Sequence, residues 1–148
     1  MGRLYVGAGY HDLERASNGL KDKEYAVGLG YGVGAFDFKG NYLVADPAGA
    51  DNKFEQFNLG FSFGFGPGRL LANLQQSRFE GGAKGTVLAT TYSHELSKRT
   101  NLYASYARLS NNATGSFGIS SSGTSVAPAS SSPGADPSVL AIGVRHRF

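Results

Sequence analysis

The sequence predicts an all-β protein, an antiparallel transmembrane β-barrel with eight strands in this chain. The composition supports this class, since 22 of the 148 residues are glycine, 12% are aromatic and only 17% are charged, against about 25% charged residues in a typical soluble domain. No stretch approaches the roughly 18 apolar residues that a membrane helix needs. Only helices and closed barrels satisfy their backbone hydrogen bonds inside hydrocarbon. A membrane protein of this composition must therefore cross with strands.

The first four strands carry the clearest alternation of apolar and polar residues, which is the pattern of a strand with one apolar face. They are predicted at Arg3–His11, Lys23–Tyr31, Ala35–Ala45 and Lys53–Phe65. In the fourth, every second residue is large and apolar, while Asn, Gly and Ser occupy the other face. The shared apolar set is Phe57, Leu59, Phe61, Phe63 and Phe65. The second strand sets Tyr and aliphatic residues against Glu, Ala and Gly in the same way.

Three further strands are predicted at Arg69–Arg78, Gly85–Glu95 and Leu102–Ser110. Their lengths suit the 9 to 11 residues of a tilted spanning strand. The strands that begin at Arg69 and Leu102 have two faces of similar polarity, so which face meets the polar interior stays open. Arg108 falls in one of these strands, and its side is equally undecided.

The eighth strand is predicted at Ser138–Phe148 and places an apolar stripe on one face. Final residues of soluble domains are usually frayed, so a terminal aromatic residue in this stripe indicates a paired strand that faces lipid. The stripe consists of Leu140, Ile142, Val144, His146 and Phe148.

The connections alternate between short turns and longer polar links. Residues 32–34, 66–68 and 97–101 have the Gly, Pro and Asn content of hairpin turns. Longer links follow at residues 12–22, 46–52, 79–84 and 111–137. Outer-membrane barrels keep short turns on the periplasmic side, so both chain ends are expected there. Residues 1–148 are predicted to form a single barrel domain with 111–137 as a long external loop.

Two segments resemble the general trimeric porins of Gram-negative bacteria, specifically the β-proteobacterial type. Tyr92–Tyr106, with its Leu-Ser-Lys-Arg-Thr turn, is similar to that family's penultimate hairpin, and Ile142–Phe148 is similar to its closing strand. The resemblance implies a passive diffusion channel for small hydrophilic solutes and ions in the bacterial outer membrane. It also implies a homotrimer of the full-length parent and a lipid bilayer around it. The barrel-assembly machinery is expected to recognise Leu140, Ile142, Val144 and Phe148.

The resemblance covers only the C-terminal half of a sixteen-stranded pattern. Residues 1–10 do not read as a signal peptide, so the chain is expected to be part of a larger porin. Eight strands closed on themselves would leave a lumen filled by side chains. Such a compact barrel, natural or engineered, with a structural or anchoring role, is the alternative to a conducting channel. Pairing with another half is the third possibility.

Five cations are predicted to line the pore and to favour anions, because fixed positive charge lowers the barrier for the opposite sign. They are Arg3, Lys39, Arg69, Arg145 and Arg147. The alternative is that they form salt bridges with Asp37, Glu24 and Glu95 that only hold the barrel together.

Aromatic residues near the strand ends are predicted to form girdles at the lipid headgroups. The set is Tyr10, Tyr25, Tyr31, Phe36, Tyr42, Phe65 and Tyr92. The alternative is the interior of a soluble barrel, which would place its polar residues outside.

Other functional classes have little support in the sequence. The net charge of +3 is scattered along the chain, which argues against a nucleic-acid partner. Neighbouring residues of a strand point to opposite faces, so His11 beside Asp12 and His94 beside Glu95 are not ready-made catalytic pairs. With no cysteine and three dispersed histidines, no enzyme activity, metal site or cofactor is expected.

Overall fold

The computed structural model describes residues 2–15, 19–49, 53–119 and 132–148, and these form eight strands. No helix long and apolar enough to cross a membrane occurs in those four ranges. The strands are β1 (Arg3–Glu14), β2 (Lys21–Val33), β3 (Phe36–Asp46), β4 (Phe54–Phe65), β5 (Gly68–Phe79), β6 (Lys84–Ser97), β7 (Thr100–Asn111) and β8 (Ser138–His146).

All eight strands belong to one sheet in the order β1 to β8, and each is antiparallel to the next. Along the described strands, no pairing joins β8 back to β1. The sheet is therefore open, with β1 and β8 as its edges, and it is not the compact closed barrel that the sequence left as an alternative. Closing eight strands requires a tight, nearly filled barrel, which this sheet does not form.

The pairing register divides the side chains into two faces, because residues directly opposite each other in a sheet point the same way. One row across the sheet contains small or polar residues, and this side is called the polar face. It runs through Tyr5, Gly30, Lys39, Gly60, Asn73, Ala89, Ala107 and Val139. The adjacent row defines the apolar face, through Leu4, Tyr31, Phe38, Phe61, Ala72, Thr90, Tyr106 and Leu140.

The register settles the strands whose facing was open. Arg69 lies on the polar face opposite Gly64, whereas Leu102 lies on the apolar face opposite Val144. Arg108 shares the face of Leu102 and forms an ion pair with Asp136 at 3.6 Å.

The sheet has almost no enclosed core. Among the described residues, the buried hydrophobic side chains are Val44 and Leu109. The apolar faces of the two edge strands are open, and Val6 and Ile142 are 63% and 77% exposed. Exposing such side chains to water costs about 1.5 to 3 kcal/mol each, so the apolar face requires apolar surroundings.

The two ends of the sheet differ in their connections. At the turn edge, the hairpins turn at residues 34–35, 66–67 and 98–99. Gly34 and Gly66 have positive φ angles of 58° and 53°, which favour glycine. The third turn is held by the Ser97 hydroxyl oxygen, which accepts hydrogen bonds from the Arg99 and Thr100 amides. The longer links lie at the opposite end, called the loop edge.

Most strands extend further than the alternation predicted. Charged pairs such as Glu14 with Lys21 and Lys23 with Asp46 continue the ladder at the loop edge, because backbone pairing does not stop where the apolar stripe does. The prediction for the last strand was wrong at its end: β8 stops at His146, opposite Thr100, where β7 begins. Phe148 therefore lies outside the strand, with its ring 4.9 Å from that of His146.

Candidate functional site

The polar face presents four of the five predicted pore-lining cations. Arg3, Lys39, Arg69 and Arg145 all lie on it. Arg69 forms an ion pair with Asp37 at 3.6 Å. In the described part of the chain, the other three cations have no ion pair. The salt-bridge alternative thus applies to Arg69, and three positive charges remain available to a solute.

Asp37 has a second partner besides Arg69. Its carboxylate also accepts a hydrogen bond from the Ser62 hydroxyl at 3.3 Å, on the neighbouring strand. The other two carboxylates proposed as partners, Glu24 and Glu95, form no ion pair within the described ranges. Among these three carboxylates, only Asp37 is therefore ion-paired within the described ranges.

A row of amides lies next to the cations and was not singled out from the sequence. Asn41 on β3 is opposite Asn58 on β4. Asn73 on β5 donates through its side-chain nitrogen to the Asn58 oxygen at 2.6 Å and to the Leu59 carbonyl at 3.3 Å. The sequence places each amide on the polar side of its strand, but only the register brings the three together.

The fifth predicted cation, Arg147, lies just beyond β8. Its backbone N–H donates to the Arg99 carbonyl at 2.8 Å. A cleft of about 140 Å³ at the turn edge is lined by Arg145 and Arg147 together with Lys98, Arg99 and Glu95. The two cations of the hairpin turn thus join the two predicted from the last strand.

An aromatic ladder follows the turn edge on the apolar face. Phe36 and Phe63 stack with ring centroids 4.6 Å apart, Phe63 and Phe65 are 5.4 Å apart, and Phe65 and Tyr92 are 6.0 Å apart. Three of these four residues were predicted for a girdle, and Phe63 completes the row. Tyr31 lies on the same face, two residues before β2 ends at Val33.

The remaining predicted girdle residues lie nearer the loop edge of the apolar face. Tyr10 is directly opposite Tyr25, and Tyr42 lies on the same face of β3. Charged residues, among them Asp12 and Lys23, follow towards the loop edge. Aromatic residues thus occur near both ends of the apolar face, which is the arrangement of membrane-interface girdles.

Three of the four predicted assembly residues line the free edge of the sheet, and Phe148 follows beyond the end of β8. Leu140, Ile142 and Val144 lie on the apolar face of β8 and are 68%, 77% and 64% exposed. Their exposure follows from the missing neighbour on that side.

The described ends of the link between β7 and β8 fold against the polar face at the loop edge. Asn111 donates to the Phe117 and Ala135 carbonyls at 3.0 and 2.6 Å, and its side-chain oxygen accepts from the Phe117 amide at 3.2 Å. The Phe117 ring stacks on Phe79 at 5.7 Å and 11°. This link was predicted as an external loop over residues 111–137, of which 120–131 lie outside the described residues. The contacts that hold the ends of this link against the sheet could not be predicted, because the sequence of the link has no periodic pattern.

Ion pairs tie other links together at the loop edge. Arg15 donates to both carboxylate oxygens of Asp22 at 2.8 and 2.7 Å, and Asp22 also accepts from the Ala48 amide at 2.7 Å. The hydrogen bond and charge of Asp22 raise the pKa of Arg15 above its usual value. Likewise, the charge of Glu55 raises the pKa of Lys53. Glu55 is also paired with Arg78.

The described residues offer no arrangement for catalysis or metal binding. The His94 ring nitrogen is 3.0 Å from the Tyr92 hydroxyl, on the apolar face, while Glu95 lies on the other face. His11 and Asp12 likewise lie on opposite faces. Within the described ranges, no group of three potential ligands is close enough to hold a metal ion.

Comparison with known proteins agrees with this two-faced sheet. The sequence model of the Gram-negative porins matches residues 1–114. The chain belongs to the Gram-negative porin family. The porin's fold is also similar to that of a solved structure, the anion-selective porin from Comamonas acidovorans, with a TM-score of 0.81 and 24% identity. That match covers 98% of this chain and 45% of the solved porin chain, so this porin spans less than half of its neighbour's length. No curated protein sequence matches it.

Proposed function

We propose that this chain forms part of the wall of a passive outer-membrane channel for small hydrophilic solutes and ions, with a preference for anions. The observation that carries the proposal is the contrast between the two faces. One face is apolar and bounded by aromatic residues, and the other carries Arg3, Lys39 and Arg145 without carboxylate partners in the described chain. A water-filled pore with lipid outside requires such a division.

The preference for anions rests on fixed charge. Unpaired cations on a pore wall lower the electrostatic barrier for anions and raise it for cations. Arg69 contributes less to this field, because Asp37 neutralises it at 3.6 Å. The similar Comamonas protein is itself described as anion-selective, and a shared charge pattern on the wall would account for a shared preference.

The free edges imply further strands around the same pore. Unpaired backbone groups of β1 and β8 would cost several kcal/mol each in hydrocarbon. We propose that another half of a sixteen-stranded barrel pairs with both edges, in a longer porin that assembles as a homotrimer. In that longer porin, the bilayer surrounds the apolar face, and the barrel-assembly machinery recognises Leu140, Ile142, Val144 and Phe148. No catalytic step is part of this function.

Ion selectivity in planar bilayers tests the proposal. The chain is refolded, its fold is verified by a heat-dependent gel shift, and the reversal potential is measured in a KCl gradient. The double variant Arg145→Gln and Arg147→Gln is expected to reduce the preference for chloride. Lys84→Gln removes a cation from the apolar face of β6. It is the matched control and should leave the preference for chloride unchanged. An unchanged preference in the double variant contradicts the charge mechanism. Folded protein that carries no current contradicts conduction by the eight strands alone, since the proposed pore also contains the other half.

A further inference from the structure

Lys39 stands in open space near the middle of the polar face. Its two cross-strand neighbours, Gly30 on β2 and Gly60 on β4, have no side chains. A Cβ atom built on Gly30 would already touch the Lys39 side chain, at 3.7 Å from its Cγ, so the absence of side chains at these positions leaves room beside Lys39. The ammonium group is exposed and has no hydrogen bond or ion pair within the described chain. It is therefore positioned to receive an anion from solution.

The carboxylate nearest along the strand does not compete for this ammonium group. Asp37 lies two residues before Lys39 on the same face, but it is engaged by Arg69 and by the Ser62 hydroxyl. A second unpaired cation, Arg3, lines the same depression. Asp37 also lines this depression, so the local charge is positive by one, with Arg3 on β1 and Lys39 on β3, on either side of β2.

The same depression contains amide groups, among them an acceptor oxygen that a simple anion cannot use. Asn58 accepts a bond from Asn73 through its oxygen, which leaves its amide nitrogen without a partner in the described residues. The side-chain oxygen of Asn73 is likewise unused there, since only its nitrogen donates. Asn41 lies opposite Asn58. Neighbouring amide donors and acceptors of this kind suit a ligand with several hydroxyl groups.

The size and walls of the depression also suit a small ring. Its volume is about 630 Å³, within the range of roughly 300 to 1,000 Å³ for small-molecule sites. Tyr5, which is 72% exposed, lines it beside the glycines. An exposed aromatic ring offers a flat surface to the C–H face of a sugar.

We propose that this depression binds a small polyhydroxylated carboxylate, a sugar acid, on its way through the channel. Lys39 and Arg3 hold the carboxylate, the three asparagines hold hydroxyl groups, and Tyr5 packs against the ring. This inference rests on the proposed channel function and adds a substrate class to it. Chloride or acetate would use the charges and an amide N–H but not the Asn73 oxygen, and glucose would use the amides without the charges.

Binding of glucuronate to the refolded 148-residue chain in detergent micelles tests this site without requiring current. Saturation-transfer NMR titrations compare glucuronate, glucose and acetate. Glucuronate should bind about tenfold more tightly than glucose, because losing one charge-assisted hydrogen bond costs about 1.5 kcal/mol or more. It should also bind about tenfold more tightly than acetate, which lacks the hydroxyl groups and so loses at least two neutral hydrogen bonds of about 0.5 to 1.5 kcal/mol each. Binding of glucuronate no tighter than acetate would overturn the proposal.

Variants locate the site. Lys39→Gln should weaken glucuronate binding about tenfold, and Asn73→Leu should weaken glucuronate binding while leaving acetate unaffected. Arg99→Gln, which removes a cation at the turn edge, is the matched control. Equal affinity in Lys39→Gln and the control would refute the assignment. Liposome flux, measured separately, keeps the two proposals apart. Binding without flux would contradict conduction by these eight strands alone, and anion flux without binding would contradict the sugar-acid site alone.

Discussion

The Asn111 side chain makes three of the hydrogen bonds that hold the β7–β8 link at the loop edge, so replacing Asn111 by Ala should loosen the link there. The change removes three hydrogen bonds, at 2.6, 3.0 and 3.2 Å, that join Asn111 to Phe117 and Ala135. Each is worth about 0.5 to 1.5 kcal/mol net. Asn111 is only half-buried, so we take the lower part of that range, about 2 kcal/mol in total. At 1.4 kcal/mol per decade, the seated population falls about 30-fold relative to the released one.

Amide hydrogen exchange measures this release directly, because the Phe117 amide is itself one of the donors. The peptide that covers residues 112–119 should exchange about 10-fold to 30-fold faster in Asn111→Ala. Thr114→Ala removes only a 3.4 Å contact with Asn112 and serves as the control. A heat-dependent gel shift confirms that both variants fold. Exchange that is equally fast in the two variants would refute the idea that Asn111 holds the link.

Three further predictions concern charge, packing and space. Asp37→Asn should increase anion preference and Arg69→Gln should decrease it, since each leaves one member of the 3.6 Å pair uncompensated; reversal potentials that shift in the same direction would contradict this. Phe63→Ala removes two ring contacts, at 4.6 and 5.4 Å, and should lower the unfolding free energy in lipid vesicles by about 1 to 3 kcal/mol; an unchanged urea midpoint would contradict the ladder's role. Gly85→Ala places a methyl group 2.7 Å from the Phe117 ring and should speed exchange in residues 112–119; unchanged exchange would show that the ring can move aside at no cost.

Period-two alternation predicted most of the sheet because it reports a simple geometric fact about strands. Residues such as Phe61 and Lys39 were placed on their observed sides from sequence alone. The pattern was uninformative where both sides carry small or mixed residues, as in the strands of Arg69 and Leu102. There, only pairing with a well-patterned neighbour decides the side.

Strand ends were less predictable than strand faces. The ladder continues through charged pairs such as Glu14 and Lys21, since backbone hydrogen bonds form regardless of side-chain polarity. The last strand is instead shorter than predicted: Phe148 was expected in β8, but the ladder ends with the pair Thr100 and His146. A pattern within one strand does not show where its partner begins.

The candidate site was predictable in its charges and not in its amides. Arg3 and Lys39 stood out because cations are rare on an otherwise small-residue face. Asn58 and Asn73 come from strands whose relative register the sequence does not state, so their 2.6 Å contact could not be foreseen. The stacking of Phe117 on Phe79 comes from a link without periodicity and was equally hidden.

The alternation of short turns and long links has a consequence for how such sheets change in length. β1 and β8 run in opposite directions, so each free edge could pair with the other in the antiparallel manner of the rest of the sheet. A sheet built in this way can grow or shrink by whole hairpins without reversing the direction of any strand. Gene duplication or loss of hairpins would therefore alter the circumference of the pore while preserving the two-faced wall, so that pore width and wall chemistry can evolve separately.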